Sequence, residues 1–596
     1  MKPTFTKKVA PILAVTLLLG SIWVSPALAE ENSIANTLTS LSQLKMSELP
    51  KDPAERLGGV DRYETAAQIA EAGWADNSSD YAVLSAGMDE NLVDALTAAP
   101  LAHLRKAPIL LTEGDTLNSY TEKELKRLGV KTVYVTSGSG VIKSSVLDTL
   151  ENGLGLKVVP LGGQDRFETS LNIAKELGSF DQVIVSTAYN NADALSVAAI
   201  AASQGIPIFL SEADQLPQSV KEYLKTKQIK QSYVLGGEGA LSSVVEQALT
   251  NPKRLGGSDR FGTNVKIIEA FAGVIQGKKL YLASGNDNNL VDALAGSSLA
   301  SQTSSAIFLI DNQTLPAGTR DFIKTNFFPI VPADLVALGG KPVVPDQVLE
   351  DMSSMALYAQ DGAMVGSAQA NLPEILNDNG VVTGNNVTVN GLSTPYNLYI
   401  EGNNVTLKNV TVQGGIIINP GAQGEIRMDN VKAKSILVLS GGPDGIQIAN
   451  SEIATLIVES TSQVGVTVTT GTTIENTVAS AQATLDASGG SFGKVVISKL
   501  AQTEPNIELQ GTFDDQGVAV VEGVVTNTSP NRIPVLYVVS LNPEQKVELK
   551  GNYDQIVVVT PSNVTFNEGS AIKMIANKDA NLTVDSSIVL EGITRQ

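Results

Sequence analysis

Residues suited to binding an anionic ligand recur three times in the first half of the chain. An arginine follows an aspartate at each of Arg62, Arg166 and Arg260. A further aspartate comes 32, 27 and 32 residues later, and these are Asp94, Asp193 and Asp292. A guanidinium group can bind phosphate or carboxylate through paired hydrogen bonds, or it can form an internal ion pair. The sequence favours the internal pair with the repeated aspartates, but the two interpretations overlap if the pair lines a groove.

The Asp-Arg pairs lie in a repeated turn sequence. The three segments are Arg56–Thr65, Leu161–Thr169 and Arg254–Thr263, and each begins its turn with Leu-Gly-Gly. Asp61 with Glu64, and Asp165 with Glu168, have the spacing of a helix capping box, whereas the third copy has Gly262 at the glutamate position. A phosphate cradle at the helix start is the alternative. The turn-and-cap interpretation is favoured, because glycine suits a tight strand-to-helix turn.

Two further repeated blocks indicate the elements that position these residues. The first block is Leu92–Leu96, Ala192–Leu195 and Leu290–Leu294, and the second is Pro108–Leu111, Pro207–Leu210 and Ala306–Leu309. In the first copy the pattern predicts strands at 81–84, 109–111 and 133–135, and helices at 91–104 and 120–128. Short apolar strands that alternate with helices predict parallel sheets covered on both faces.

Together these blocks resemble the cell-wall-binding type 2 repeat family over about residues 55–352. The resemblance implies three α/β modules in a pseudo-threefold arrangement, which bind an anionic secondary wall polymer non-covalently at grooves between modules. Two positions depart from the family pattern. The first copy has Thr136-Ser137-Gly138 where the others have Leu-Gly-Gly, and the third has Ala306 in place of proline. We therefore expect the three grooves to differ more than the three folds.

The second half has a shorter repeat. Ile416, Ile436 and Leu456 begin apolar triplets spaced 20 residues apart, and Asn409, Asn430 and Asn450 recur at 21 and 20. Short β-branched strands with Asn and Gly at the corners predict a right-handed parallel β-helix or a similar solenoid. The pattern is regular over 381–496 and weaker to 596, where either further coils or a separate β cap would fit.

Carboxylates in this half raise the question of an enzyme. Glu425, Asp429, Asp444 and Glu452 could supply the pair needed for glycoside hydrolysis, or with Arg427 a calcium-dependent lyase site. A solvated coil surface is the favoured interpretation. We therefore assign no catalytic residue, cofactor or metal.

Composition limits the function further. The net charge is −20, and argues against nucleic acid as a partner. The chain has no cysteine, and a single histidine, His103, leaves little room for a zinc site or a serine-type triad. Residues 1–29 resemble a signal peptide, with Lys2, Lys7 and Lys8 before an apolar run and Ala27-Leu28-Ala29 at its end. No later segment is apolar enough to span a bilayer.

The predicted organisation is a signal peptide at 1–29, a linker at 30–54, and modules at 55–159, 160–252 and 253–352. A second linker at 353–380 and a solenoid at 381–596 follow. The favoured function is a secreted, non-enzymatic protein of the cell wall, held by an anionic polysaccharide or teichoic-acid-like polymer, whose solenoid serves adhesion or surface structure. The alternatives are a wall-tethered polysaccharide lyase or hydrolase and a surface-layer subunit that self-associates.

Overall fold

The computed structural model describes most of the chain after residue 51. The described residues are 52–277, 279–312, 314–327, 330–367, 372–460, 462–500, 503–513, 517–590 and 592–595. The predicted signal peptide and nearly all of the first linker lie outside them. The chain divides into a module unit, Pro50–Ile323 with Pro329–Ser353, and a solenoid unit, Lys324–Phe328 with Ser354–Gln596. No helix of the described residues is long and apolar enough to cross a membrane.

Each of the three modules is built on a four-stranded sheet in which every pairing is parallel. The strands of the first sheet, in spatial order, are Ile109–Thr112, Tyr81–Ala86, Thr132–Val135 and Lys157–Pro160. Those of the second are Ile208–Ser211, Gln182–Thr187, Gln231–Leu235 and Pro252–Leu255. Those of the third are Ile307–Ile310, Leu280–Ser284, Leu335–Leu338 and Glu55–Leu57. The predicted strands at 81–84, 109–111 and 133–135 are confirmed.

The fourth strand of each sheet comes from the start of the next repeat. Lys157–Pro160 and Pro252–Leu255 each precede a Leu-Gly-Gly turn, yet they pair with the strands of the repeat before. The same exchange closes the set, because Glu55–Leu57 at the beginning of the first repeat pairs with Leu335–Leu338 of the third. The three modules therefore form a closed pseudo-threefold unit in which each sheet is completed by a neighbour.

Helices cover the sheets. The helices that follow the Asp-Arg turns, here called the DR helices, are Arg62–Gly73, Arg166–Leu177 and Arg260–Ala270. A second set, the central helices, are Ala99–Leu104, Asn191–Gln204 and Leu290–Gln302. The remaining helices are Ser119–Leu128, Ser144–Asp148, Gln218–Lys225, Ser243–Gln247, Ala317–Asn326 and Asp346–Ser353. One prediction was wrong: the helix expected at 91–104 is a 3₁₀ turn at Asp89–Asp94 and a short α-helix at Ala99–Leu104.

The central helices pack against one another and give the three modules a common core. Their residues are small and almost entirely buried, as in Ala192–Ala202. One hydrophobic cluster includes Leu96, Leu195 and Leu294, one leucine from each repeat. Because each module buries its Asp-Ala-Leu block against the other two, this repeated sequence lies at the centre of the unit.

The solenoid unit is one ladder of parallel strands. They are Ala356–Tyr358, Met364–Val365, Glu374–Ile375, Gly380–Val382, Thr388–Thr394, Leu398–Ile400, Val405–Ile418, Ile426–Val438, Ile446–Ala449, Glu452–Val458, Val464–Val468, Thr473–Ala479, Gln482–Ala487, Lys494–Ile497, Asn506–Gly511, Val518–Val520, Gly523–Asn527, Ile533–Val538, Lys546–Val558, Asn563–Ala576, Asn581–Val584, Val589–Leu590 and Ile593–Arg595. Pairing begins at Ala356, inside the segment expected to be a linker. It continues to Arg595, so the C-terminal stretch consists of further coils and not of a separate cap.

The predicted 20-residue repeat is one coil. Ile416 lies beside Ile436, and Ile436 beside Leu456, so the three triplets stack inside the ladder. The corner asparagines adopt left-handed backbone conformations, with φ of +54° at Asn409 and +57° at Asn430. Asparagine tolerates this region better than most residues, because its side chain can bond locally. The Asn430 amide also donates to the Asn409 side chain at 2.8 Å, linking adjacent coils. Right-handed winding stays a prediction.

Candidate functional site: the grooves between modules

The Asp-Arg turn is held by an N-cap, as the sequence predicted. Asp61 accepts hydrogen bonds from the backbone of Tyr63 and Glu64, and Asp165 and Asp259 cap their helices in the same way. The Glu64 carboxylate accepts from the backbone N–H of Val60 at 2.6 Å, one residue before the cap. The first turn of each DR helix is thereby fixed, and with it the arginine that begins the helix.

A threonine adds a bond that the sequence analysis did not single out. Thr65, Thr169 and Thr263 accept hydrogen bonds from the second glycine of the Leu-Gly-Gly turn in all three repeats, at 2.9 to 3.0 Å. Their recurrence four residues after the capping aspartate was a visible signal. The first glycine has a different role. A Cβ at Gly58 would lie 2.4 Å from the backbone of Gly339 in the third module, so only glycine permits this approach.

The three arginines occupy equivalent positions. Each guanidinium donates to a backbone carbonyl just after the first strand of its own module, and the acceptors are Gly87, Ala188 and Gly285, at 2.6, 2.7 and 2.5 Å. Arg62 also donates to the carbonyl of Asn288 in the third module at 3.4 Å. The arginines are partly exposed at the edge of the interface between modules.

The repeated aspartates face the arginines of the following repeat. The charge of Arg166 acts on Asp94, that of Arg260 on Asp193, and that of Arg62 on Asp292. The helices that carry them are packed in the same cyclic order, since each DR helix contacts the helical segment bearing the aspartate of the preceding module. Each facing pair therefore takes its arginine from one module and its aspartate from another, and the aspartate of the third module faces the arginine of the first repeat.

Burial governs the protonation of these aspartates. Asp193 and Asp292 are buried, and burial raises the pKa of Asp193 to about 6 and that of Asp292 to about 7, against the lowering effect of the facing arginines. Burial also raises the pKa of Asp94, which is half-buried. Among the described residues, Arg166 and Arg260 form no salt bridge with Asp94 or Asp193. For Arg166 and Arg260 the relation to these aspartates is thus a longer-range attraction and not the direct internal pair that the sequence favoured, and the role of all six residues stays a proposal.

Two other arginines, which the sequence analysis did not single out as functional, link neighbouring repeats. Arg56 donates to the carbonyl of Gly339 at 3.0 Å and pairs with Asp346 at 2.8 Å, across the junction of the first and third repeats. Arg254 does the same with Gly236 and Glu246. Both precede Leu-Gly-Gly, so their shared position was a readable signal. His103 also bridges modules, since its Nδ1 lies 3.1 Å from the Ser301 hydroxyl, and burial lowers its pKa.

The solenoid carboxylates considered from the sequence do not act as one group. Glu425 pairs with Arg427 at 2.6 Å, Glu452 pairs with Lys432 at 3.0 Å, and Asp429 accepts from Asn450 at 2.8 Å. Within the part of the chain that the structure describes, no three His, Cys, Asp or Glu side chains are grouped to hold a metal ion.

Asp444 lines a polar groove of about 650 Å³ along the solenoid surface. Asp486 and Glu508 line the same groove, together with side chains that can donate hydrogen bonds, such as Thr467 and Gln463. The Gln463 amide donates to the Thr484 hydroxyl at 2.9 Å. This groove therefore offers both carboxylates and hydrogen-bond donors to a polar ligand.

Comparison with known proteins identifies the module unit. Residues 56–147, 161–246 and 254–349 each match the family model described as cell wall binding domain 2. N-acetylmuramoyl-L-alanine amidase LytC of Bacillus subtilis is 27% identical over 306 residues, which cover 51% of this chain and 59% of that protein. The amidase enhancer of the same organism is 31% identical over 273 residues, covering 45% and 36%. The chain thus spans less than two thirds of the length of these curated relatives.

Solved structures give a consistent but partial match. Cwp6 from Clostridium difficile has a TM-score of 0.47 at 24% identity, covering 54% of this chain and 53% of that chain. Cwp8 from the same organism has a TM-score of 0.45 at 29% identity, covering 54% and 55%. The assignment rests on the family model and on the three repeats that it matches. Residues 56–349 of the chain therefore consist of three tandem members of the cell wall binding domain 2 family.

Proposed function

We propose that the module unit attaches the protein non-covalently to an anionic polysaccharide or teichoic-acid-like polymer of the cell wall, and that the solenoid unit is displayed for adhesion or surface structure. The observation that carries the proposal is the cyclic arrangement of Arg62, Arg166 and Arg260, each at an interface between modules. Three equivalent cationic groups on one closed unit would engage one polymer at several points, which raises avidity without any new contact.

Local charge is essential to this proposal. The whole chain carries a net charge of −20, so an anionic polymer is repelled at long range. Attraction must come from guanidinium groups close to the polymer, where hydrogen bonding adds to charge. Binding should therefore depend on particular arginines and not on total charge.

Co-sedimentation of the full chain with purified cell walls tests the proposal. Replacing Arg62, Arg166 and Arg260 together by glutamine should lower binding at least ~tenfold, equivalent to about 1.4 kcal/mol. The matched control removes three positive charges from the solenoid through Arg427→Gln, Lys432→Gln and Lys434→Gln, and should bind as the unaltered chain does. Walls stripped of their secondary polymer should bind neither the unaltered chain nor the solenoid control variant.

Two results would contradict the proposal. Equal loss in the groove and solenoid variants would indicate non-specific charge effects, and full binding to stripped walls would exclude the polymer as the ligand. A thermal unfolding measurement on each variant identifies any loss that comes from misfolding. The single substitution Arg166→Lys keeps the positive charge but removes the planar guanidinium. A partial loss of wall binding in this variant would support paired hydrogen bonding.

A second candidate function rests on the polar groove of the solenoid. Asp444, Asp486 and Glu508 line it, and glycoside hydrolysis requires a pair of carboxylic groups. The candidate is a wall-tethered enzyme acting on a polysaccharide. Release of new reducing ends or unsaturated sugars from purified wall polymer by the intact chain, abolished by Glu508→Gln and unaffected by Glu452→Gln, would support it. If the intact chain releases no reducing ends or unsaturated sugars, the enzyme proposal is wrong and attachment and display remain the proposed function.

Self-assembly is the third candidate, and electron microscopy of the purified chain tests it. Ordered two-dimensional sheets would support a surface-layer subunit. Dispersed single particles at high concentration would count against it.

A further inference from the structure

The surroundings of Arg166 and Arg260 differ in charge. Arg260 forms a salt bridge with Asp287 at 2.7 Å, on the loop that follows the first strand of its own module. Arg166 has no carboxylate in salt-bridge contact among the described residues. Its guanidinium lies instead over the ring of Tyr189, 5.6 Å from the centroid. Arg166 therefore has no carboxylate in direct contact that a ligand would have to displace, whereas Arg260 is already ion-paired.

A shorter loop explains the difference. From the carbonyl that accepts the arginine bond to the repeated aspartate there are seven positions in the first and third modules, Gly87 to Asp94 and Gly285 to Asp292. The second module has five, from Ala188 to Asp193. Tyr189 directly follows the accepting carbonyl, and this places its ring beside the guanidinium.

The ring of Tyr189 is both exposed and fixed in position. The residue is 64% exposed although the Arg166 guanidinium lies over its ring. Its hydroxyl donates to the Glu212 carboxylate at 2.5 Å, and this hydrogen bond raises the pKa of the Tyr189 phenol. An aromatic side chain held at its face and at its hydroxyl loses little further conformational entropy when a ligand packs on it.

We propose that the groove formed by Arg166, Tyr189 and Asp94 is the site that selects the polymer, and that it binds a sugar bearing a phosphate or carboxylate group. The pyranose ring packs on the exposed aromatic face of Tyr189, and the acidic substituent accepts hydrogen bonds from Arg166. This inference rests on the proposed attachment to a wall polymer. It adds that the second module dominates, because the corresponding loops of the other two modules, residues 88–93 and 286–291, contain no aromatic residue.

Binding of soluble fragments of purified wall polymer to the full chain tests this assignment. Tyr189→Ala should weaken binding about tenfold at both low and high salt, since packing on an aromatic ring is not screened. Arg166→Gln should weaken binding mainly at low salt, because its attraction is screened by ions. The matched control is Asp287→Ala. It shortens a side chain on the corresponding loop of the third module and should not weaken binding.

A reciprocal variant sharpens the test. Asp287→Tyr removes the neutralising carboxylate beside Arg260 and supplies an aromatic ring, so it should increase affinity when introduced into the Tyr189→Ala chain. Removing phosphate from the polymer with hydrofluoric acid, or reducing its carboxylates with carbodiimide and borohydride, identifies which anion is bound, and loss after either treatment agrees with the proposal.

The outcomes separate the two proposals. If the unaltered chain fails to bind walls or fragments, the attachment function is wrong. If the unaltered chain binds and Tyr189→Ala binds equally well at both salt concentrations, attachment stands and the selecting role of this groove is wrong. Equal weakening by Asp287→Ala and Tyr189→Ala would likewise overturn the assignment to the second module.

Discussion

The module unit and the solenoid unit both consist of repeats with parallel strands, but one set of repeats closes and the other does not. The fourth strand of each module sheet comes from the start of the next repeat. Glu55–Leu57 of the first repeat completes the sheet of the third module, which closes the set. In the solenoid, each coil pairs with the coils before and after it, from Ala356 to Arg595. A closed set fixes the number of repeats, whereas an open ladder gains or loses stability roughly one coil at a time.

The two units also bury charge differently. In the modules, buried Asp193 and Asp292 each face an arginine of another repeat. In the solenoid, Glu459 is buried, one of its carboxyl oxygens has no hydrogen-bond partner, and burial raises its pKa to about 8. A buried group without a partner stays neutral more readily than it ionises. The buried aspartates of the modules thus each lie within the influence of an arginine, whereas the coil stack holds Glu459 as a neutral acid at neutral pH.

The largest expected effect comes from breaking the closure. Replacing Glu55-Arg56-Leu57 by Gly-Ser-Gly removes the fourth strand of the third sheet and the Arg56–Asp346 ion pair. We expect the module unit to lose its single cooperative transition in thermal unfolding. Deleting residues 439–458 removes one coil and places Glu459 after Val438, which already pairs with Val458. That variant should keep its solenoid transition. The comparison fails if the coil deletion unfolds the solenoid while the strand replacement has no effect.

A smaller effect is expected from pH. The pKa of Glu459 is about 8 in the folded protein against 4.5 in the unfolded chain, so ionisation favours unfolding and the free energy of unfolding of the solenoid falls as pH rises from 4.5 to 8. Glu459→Gln should remove this dependence, which is on the order of 4 kcal/mol. Asp292→Asn should reduce, but not remove, the corresponding dependence of the module unit between pH 3.8 and about 7, because the raised pKa values of Asp193 and Asp94 also contribute. Urea unfolding followed by circular dichroism at pH 5 and 9 measures both transitions.

The exposed, ion-paired Glu452 supplies the control for that measurement. Glu452→Gln should leave the pH dependence of the solenoid transition unchanged, because the side chain is solvated and paired with Lys432. An unchanged slope in Glu459→Gln would show that this carboxyl ionises normally in the folded chain.

The smallest effects concern the local signals of each repeat. Asn430→Ala keeps a Cβ at a φ of +57° but removes the amide that bonds to Asn409, and should cost the solenoid roughly 1–2 kcal/mol, while Asn430→Gly, which has no Cβ, should cost less. Asp61→Ala removes an N-cap and should cost the module unit about 1 kcal/mol, with Asp61→Asn as the conservative control. Denaturant titration of each variant measures the change. Equal stability of Asn430→Ala and the unaltered chain would contradict the account of the corners.

Much of the architecture could be predicted because its signals are local. The triplets at Ile416, Ile436 and Leu456 stack as their 20-residue spacing predicted. Asp61 is the N-cap of the helix that the capping-box spacing predicted. The helix expected over 91–104 failed for a physical reason: the periodicity of Leu92, Ala95 and Leu96 reports burial, and a 3₁₀ turn followed by a short helix buries the same residues.

The sequence alone determined that three repeats and a coil ladder exist, since both follow from spacing along the chain. Only the tertiary structure decided which repeat completes which sheet, and which arginine faces which aspartate. Arg62 is 230 positions from Asp292, yet its charge acts on that carboxyl, while Asp94 in its own repeat faces Arg166 instead. Repeated residues are equivalent in sequence, so spacing cannot tell a partner in the same module from one in a neighbour. That choice depends on how the central helices pack and how Glu55–Leu57 closes the unit.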